Sequence, residues 1–226
     1  MSAAIAVIAI DGPGGAGKGT ISQLVAARLG WHLLDSGSLY RITAYAAAAQ
    51  DISLEDTQQV CDVARNLDVI FQEAAAGVRV ILEGDDVTDL IRTEKGGKMA
   101  SVIAANSAVR DALIERQRAF ARPPGLVADG RDMGTVVFTG AKLKIFLTAS
   151  VEERARRRYK QLKDKGMDVS LPALAQEMAE RDRRDSERAV APLKPAVDAR
   201  VLDSTELGIP EVVDLIISWA NEVYAL

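Results

Sequence analysis

The chain has 226 residues, 27% of them charged, a net charge of −4, one cysteine (Cys61) and one histidine (His32). That length suits one large α/β domain with insertions, and the acidic balance excludes a general attraction to a nucleic-acid polymer or an anionic membrane. A lone cysteine excludes an internal disulfide and accords with a reducing, cytoplasmic setting; a lone histidine excludes a typical histidine zinc centre; no apolar run is long enough to span a bilayer.

The first apolar run, residues 3–10, reads as a strand, and residues 20–29 read as a helix. Between them stands Gly12-Pro13-Gly14-Gly15-Ala16-Gly17-Lys18-Gly19-Thr20. Strand, glycine loop, lysine and helix form the layout of a phosphate cradle. Glycines let successive backbone N–H groups turn toward one anion, and Lys18 adds a point charge. The spacing fits a P-loop, except that Gly19 stands where Ser or Thr belongs. Gly12-x-Gly14-x-x-Gly17 also fits a dinucleotide fingerprint, with Asp35 near the place of a ribose-binding acid. Lys18 favours the cradle, because a dinucleotide site has no task for a lysine there.

Further strands are expected over residues 31–35, 126–129, 143–147 and 200–202, alternating with helical stretches. Most are nearly continuous in apolar character, as parallel strands covered on both faces should be. The pattern predicts a five-stranded parallel sheet wrapped by helices, with ligands beyond the carboxyl ends of its strands. Those ends carry Asp11-Gly12, Asp35-Ser36, Asp129-Gly130-Arg131-Asp132 and Thr148. Asp203-Ser204 suits either a contact on the adenine side or the capping of a turn. Residues 46–49 are alanines that suit a helix, and Cys61 reads as a small apolar residue on another. Residues 67–92 break the alternation: strands at 68–71 and 78–82 and a hairpin turn at 83–86 predict a small antiparallel insert. A helix is expected over 98–121, ended by Pro123-Pro124-Gly125.

Residues 151–165 read as a basic helix carrying Arg154, Arg156, Arg157, Arg158, Lys160 and Lys163. At about 100° per residue Arg154, Arg158 and Lys165 share a face, with Arg157 at its edge. Gly166 should end this helix, and Ser170 with Pro172 should begin the next. On that second helix Arg181, Asp185 and Arg188 fall within an arc of about 60°, with Arg184 outside it. Two arginine-rich helices joined at a glycine form either a lid over phosphates or a solvated surface with pairs such as Glu153–Arg157.

Four segments together resemble bacterial cytidylate kinases: the loop Gly12 to Thr20, Leu34-Asp35-Ser36-Gly37-Ser38-Leu39-Tyr40-Arg41, the run Ala128-Asp129-Gly130-Arg131-Asp132-Met133-Gly134-Thr135-Val136-Val137-Phe138, and Arg181-Asp182-Arg183-Arg184-Asp185-Ser186. The similarity runs nearly end to end. It implies phosphoryl transfer from ATP to CMP or dCMP with Mg²⁺, giving ADP and CDP or dCDP, in pyrimidine nucleotide metabolism. It also implies a P-loop kinase fold over residues 1–226: a five-stranded parallel sheet, an acceptor-nucleotide region at 37–122 containing the 67–92 insert, and a short helical lid at 151–190. Gly12, Pro13, Gly14, Gly15, Ala16, Gly17, Lys18, Gly19 and Thr20 would hold ATP. Ser36, Arg41 and Arg131 match positions near the CMP phosphate, and Ser101, Arg110 and Asp132 match positions around cytosine. Arg181, Asp185 and Arg188 match positions at the ribose and phosphates. Lys18, Asp129, Arg131, Arg157, Arg158 and Arg188 form the expected catalytic set, with no protein ligand to the metal singled out. Asp129 suits either holding hydrated Mg²⁺ or orienting Arg131. One departure is Glu94-Lys95-Gly96-Gly97-Lys98, whose glycines stand where a better helix former is expected. This leaves the start of the following helix, and the placement of Ser101, open.

The chemistry agrees with that resemblance. Phosphoryl transfer demands positioning and charge neutralisation, and two polyanions must meet, so excess arginine is required. CMP, dCMP and ATP are the expected partners of a monomer. Competing classes are a kinase for another acceptor such as UMP, AMP or shikimate, a GTP switch, and a nicotinamide-dependent dehydrogenase. The switch reading lacks any Asn-Lys-x-Asp guanine-reading motif.

Overall fold

A computed structural model describes residues 5–74, 77–164 and 166–225, with the side chains of 73, 74 and 77 outside that description. In chain order β1 (Val7–Asp11) leads to α1 (Lys18–Leu29), β2 (His32–Asp35), α2 (Ser36–Ala49), α3 (Thr57–Asn66), β3 (Val69–Ala74), β4 (Gly77–Leu82) and β5 (Asp85–Asp86). Then come α4 (Thr88–Ile91), α5 (Glu94–Ile103), α6 (Ser107–Arg118), β6 (Leu126–Gly130), a π-helical turn (Met133–Val137) and β7 (Leu143–Thr148). The chain closes with α7 (Val151–Asp164), α8 (Leu171–Ser186), β8 (Arg200–Asp203) and α9 (Ile209–Tyr224). Two compact units result, residues 1–34 with 120–226, and residues 35–119.

In the first unit the described strands form a five-stranded sheet in the order β2-β6-β1-β7-β8. β1 runs parallel to both β6 and β7, with Ile10 opposite Asp129 on one side and Ile145 on the other. β1 is buried throughout, as a central strand covered on both faces must be. Ile8, Ile10, Val25, Val127, Leu143, Ile145 and Ile216 pack into one core. Fully burying an aliphatic side chain of this size contributes about 1.5–3 kcal/mol. α9 buries Val212, Val213, Ile216 and Ala220, one face at helical spacing. Tyr224 pins its end: the hydroxyl donates to Val7 O at 2.6 Å and accepts from Leu143 N at 3.2 Å. Gly125 is required where the chain enters β6, because a Cβ there would lie 2.4 Å from the Trp31 ring.

The second unit packs α2, α3, α5 and α6 with a three-stranded antiparallel sheet, β3-β4-β5. Val80 and Leu82, two apart on β4, join Ile42, Val60, Ile91, Ile103 and Leu113 in its core, as strand alternation dictates. Cys61 is a buried member of that core, as its small apolar character suggested. The expected insert is present, but the turn is shorter than expected, and Asp85–Asp86 pair back onto Ile81 and Leu82 as a third strand. Residues 75 and 76 of the expected first turn lie outside the described residues, as do Lys165 and residues 3 and 4 of the first strand.

The single helix expected over 98–121 is corrected to two. Asn106 interrupts it: its side chain accepts from Ala108 N at 3.0 Å and donates to Thr57 Oγ1 at 2.6 Å, bonds that compete with helix continuation. α5 also begins earlier, at Glu94, because Thr93 caps it by accepting from Gly96 N at 3.0 Å. The glycines that seemed poor helix formers have a steric reason. A Cβ at Gly96 would lie 2.5 Å from Ile91 O, and one at Gly97 would lie 3.1 Å from Arg41 Nη2.

Candidate active site

The glycine loop follows β1 at its carboxyl end. Gly12 has φ 151°, and a Cβ there would lie 2.0 Å from Leu147 O, so only glycine lets the loop cross β7. Gly15 and Gly17 have φ 80° and 89°, left-handed values that glycine adopts without strain. Gly17 is the N-cap of α1 and has no capping side chain, so the first N–H groups of the helix point toward the loop's concavity. Lys18 curls back over the loop: its Nζ donates to Pro13 O at 2.9 Å and lies 4.0 Å from Asp129 Oδ1. Burial pulls the Lys18 ammonium down to about 8; the Asp129 carboxylate opposes that fall, while Arg131 and Arg181 add to it.

Asp35, the possible ribose acid of a dinucleotide site, is otherwise engaged. It is the N-cap of α2, accepting from Ser38 N at 2.9 Å and Ser38 Oγ at 2.6 Å. With Lys18 folded onto the loop, the phosphate cradle is the reading that the geometry supports.

The carboxyl end of β6 brings several predicted residues to this loop. Gly19 lies by Asp129, 3.6 Å separating a Cβ position there from Oδ2. Arg131 Nε donates to Asp185 Oδ2 at 2.5 Å, and its Nη2 stands 3.4 Å from the Cβ position of Gly14. Arg181 Nη1 approaches the same position at 3.6 Å. Arg188 Nη2 donates to the other Asp185 oxygen. Burial pushes the Asp185 carboxyl up, but the Arg131 and Arg188 guanidiniums outweigh it and hold the group below the usual carboxylate range. Asp185 is 0% exposed. Both its oxygens accept from arginines, Arg131 and Arg188.

Asp132 is buried just before the π-helical turn, a wide turn of the kind often found at functional sites. Asp11, at the end of β1, accepts from Met133 N and Gly134 N, both at 2.8 Å, and so fixes that turn. Burial pushes the Asp11 carboxyl up to about 6, against the pull of those two N–H groups.

The expected lid arginines divide. Arg154 is buried; it donates to Ala149 O, Gly14 O and Asp182. Arg157 donates to Glu153 Oε1 at 3.0 Å, the pair that a solvated surface predicts, and to Ser204 O at 2.6 Å. Arg158 Nη1 reaches Gln161 Oε1 at 3.3 Å. Asp203 caps a turn by accepting from Thr205 N at 2.8 Å, the second of its two readings.

In residues 35–119, Ser36, Arg41, Ser101 and Arg110 form the other group of predicted residues. Ser36 Oγ donates to Gln117 Oε1 at 2.8 Å, and both side chains are buried. Arg41 Nη1 donates to Ile91 O at 2.9 Å and Thr93 O at 3.0 Å. Arg110 donates to Ala104 O at 3.1 Å and lies 5.8 Å from the Tyr40 ring centroid. Ser101 is half-buried on α5. Gln117 was missed by sequence reasoning; its signal was its spacing, seven residues beyond Arg110 on one helix face. Arg154 was singled out only as a lid residue, and Asp182 only within a motif.

A glycine cradle with a buried lysine, set at the carboxyl end of a central parallel strand and faced by arginines, defines a P-loop phosphotransferase. Comparison with known proteins narrows this class. Residues 8–222 match the sequence model of the family described as Cytidylate kinase. The chain is 62% identical over 219 residues to a cytidylate kinase of Pseudomonas paraeruginosa, covering 96% of each. It is 58% identical over 216 residues to one of Aeromonas hydrophila, covering 96% of this chain and 94% of that relative. Among solved structures, an uncharacterized protein from Eubacterium ventriosum has a TM-score of 0.51 at 11% identity over 96% of this chain and 98% of that one, a likeness of fold alone. The chain belongs to the cytidylate kinase family. Among its described residues no helix is long and apolar enough to cross a membrane.

Proposed function

We propose that this chain transfers the γ-phosphoryl group of ATP to CMP or dCMP, as a cytoplasmic monomer. The observation that carries the reading is Lys18, buried against Asp129 on the glycine loop, with Arg131 Nη2 and Arg181 Nη1 both close to Gly14. The loop N–H groups and Lys18 take the donor phosphates. Arg131, Arg181 and Arg188 neutralise charge where donor and acceptor phosphates meet, and arginine suits that task by its fork geometry. Asp129, a carboxylate beside the cradle, would either hold a hydrated Mg²⁺, which would supply charge neutralisation to the donor phosphates, or orient Arg131.

The resemblance assigns acceptor recognition to Ser36, Arg41, Ser101 and Arg110 of residues 35–119 and to Asp132 of the other unit. A carboxylate only accepts and a guanidinium only donates. Asp132 facing the cytosine N4 amine and Arg110 facing N3 or O2 match cytosine, whereas uracil reverses the pattern. A site built on such bonds discriminates strongly, because a mismatch leaves buried polar groups unpaired. Arg157 and Arg158 close over the bound nucleotides. The test is an ADP-release assay across CMP, dCMP, UMP, AMP and GMP. CMP and dCMP should dominate kcat/KM, and a preference for UMP or AMP would overturn the reading.

A further inference from the structure

Arg154 lies on α7, a helix expected to offer its arginines to phosphates, yet this side chain is only 3% exposed. Its donors are spread over three separate acceptors. Nε donates to Ala149 O at 2.9 Å, Nη1 to Gly14 O at 2.9 Å, and Nη2 to Asp182 Oδ2 at 2.5 Å on α8. The charge is balanced by Asp182, and the guanidinium is committed to protein acceptors.

The contact to Gly14 O has a geometric consequence. A peptide group is planar and trans, so the carbonyl of one residue and the N–H of the next point in opposite directions. Holding the Gly14 carbonyl toward Arg154 turns the Gly15 N–H away from it, toward the concavity that the loop builds. This peptide is also the one most in need of a hold. It joins two glycines, Gly15 already stands at φ 80°, and no Cβ on either side resists its rotation. Arg154 also crowds the place from behind, its Cβ 3.2 Å from the Cβ position of Gly15.

We infer that Arg154 is a positioning residue that aims the Gly15 N–H group into the phosphate cradle, with Asp182 fixing Arg154 from α8. The inference rests on the reading of residues 12–20 as the cradle for the donor phosphates. A residue of this kind acts on the donor alone. It makes the loop a ready anion site before nucleotide arrives, rather than one that reorders on binding.

The test uses the full chain, ¹⁵N-labelled, with ADP and CMP as probes in separate titrations, and the variants Arg154→Ala, Arg154→Lys and Asp182→Asn. In the wild type, ADP should shift the Gly15 amide resonance strongly and CMP should not. Arg154→Ala should lose that shift and raise the ADP dissociation constant at least about tenfold, while CMP binding stays within about threefold. Arg154→Lys keeps the charge but not the fork, so it should behave like Arg154→Ala, and added guanidinium ion should restore ADP affinity in Arg154→Ala. If Arg154→Ala does not fold, Asp182→Asn carries the test, with a smaller loss of ADP affinity in the same direction. A wild-type Gly15 amide that ignores ADP would overturn the cradle reading itself. A wild-type shift that persists in the variants, with unchanged ADP affinity, would overturn only the positioning role of Arg154. Equal weakening of ADP and CMP would reduce Arg154 to a structural strut.

Discussion

Asp129→Asn is expected to move the alkaline limb of kcat/KM for ATP to lower pH. Lys18 Nζ lies 4.0 Å from Asp129 Oδ1, and burial has already drawn its pKa down to about 8. The carboxylate opposes that fall. At an effective dielectric near 20, unit charges about 4 Å apart interact by about 4 kcal/mol, equivalent to about three pKa units. Solvent and the neighbouring charges reduce this, so a downward shift of at least about one unit is expected. At about pH 8 half of the wild-type lysines carry a proton, against about a tenth in the variant, and kcat/KM falls about fivefold from charge alone. The profile of kcat at saturating ATP should stay flat over the same range, because bound phosphates restore the charge of Lys18. An ADP-release assay across neutral and alkaline pH, with both nucleotides varied, measures both profiles. Linkage supplies an independent check. Lys18 binds fewer protons folded than unfolded between about 8 and 10.5, so this group makes the wild type more stable as pH rises through that window. An alkaline limb unmoved in Asp129→Asn would show that Asp129 does not govern the charge of Lys18.

Asp185→Asn should lower kcat/KM for CMP and dCMP equally and cost about 3 kcal/mol of stability in urea, because it strips the buried partner from Arg131 and Arg188; a loss confined to CMP would return Asp185 to reading the sugar. Since its carboxyl is held low, that stability should be present above the ordinary carboxylate range and disappear as pH falls through the folded value. Asp132→Asn should narrow the CMP-to-UMP ratio of kcat/KM at least about tenfold, or about 1.4 kcal/mol, and an unchanged ratio leaves Asp132 with the turn alone. Gly97→Ala should raise KM for CMP several-fold and leave KM for ATP alone, because its Cβ would press on Arg41 Nη2 at 3.1 Å; steady-state kinetics showing both constants unchanged would detach Arg41 from the acceptor.

The parts of this molecule that were legible in the sequence are those that local rules dictate. Gly12, Gly15 and Gly17 announce a loop because no other residue takes their backbone angles or clearances. The sheet strands were legible because a doubly covered parallel strand must be apolar along its length. What was not legible depends on partners distant in the chain. Local spacing offers Asp185 to Arg181 and Arg188, but it does not reveal that Asp185 also takes Arg131, 54 residues away, at the carboxyl end of β6. Ser36 and Gln117 meet across 81 residues for the same kind of reason. The break at Asn106 was hidden because its side chain finds Thr57 on another helix, a competitor to helix continuation that spacing along one segment cannot reveal.

Those distant pairs also account for how so many cations share one small region. Arg131 and Arg181 both act to lower the pKa of Lys18, so an unbalanced cluster would discharge the lysine that the chemistry needs. Asp129 and Asp11 offset that effect on Lys18, while Asp185 and Asp182 pair with Arg131 and Arg154 themselves. A carboxylate on the phosphate side of an arginine would compete with the phosphate, whereas one on the far side does not. Asp185 takes Arg131 at Nε, and a different nitrogen, Nη2, is the one that lies near Gly14. Asp182 likewise takes Arg154 on a nitrogen other than the one that holds Gly14 O. A carboxylate bound at one nitrogen orients the guanidinium and offsets its charge, and in Arg131 a second nitrogen stays turned toward the loop, ready for a phosphate at little reorganisation cost. This is how a chain that works on polyanions can carry a net charge of −4: aspartates such as Asp185 and Asp182 are the frame in which its arginines are held.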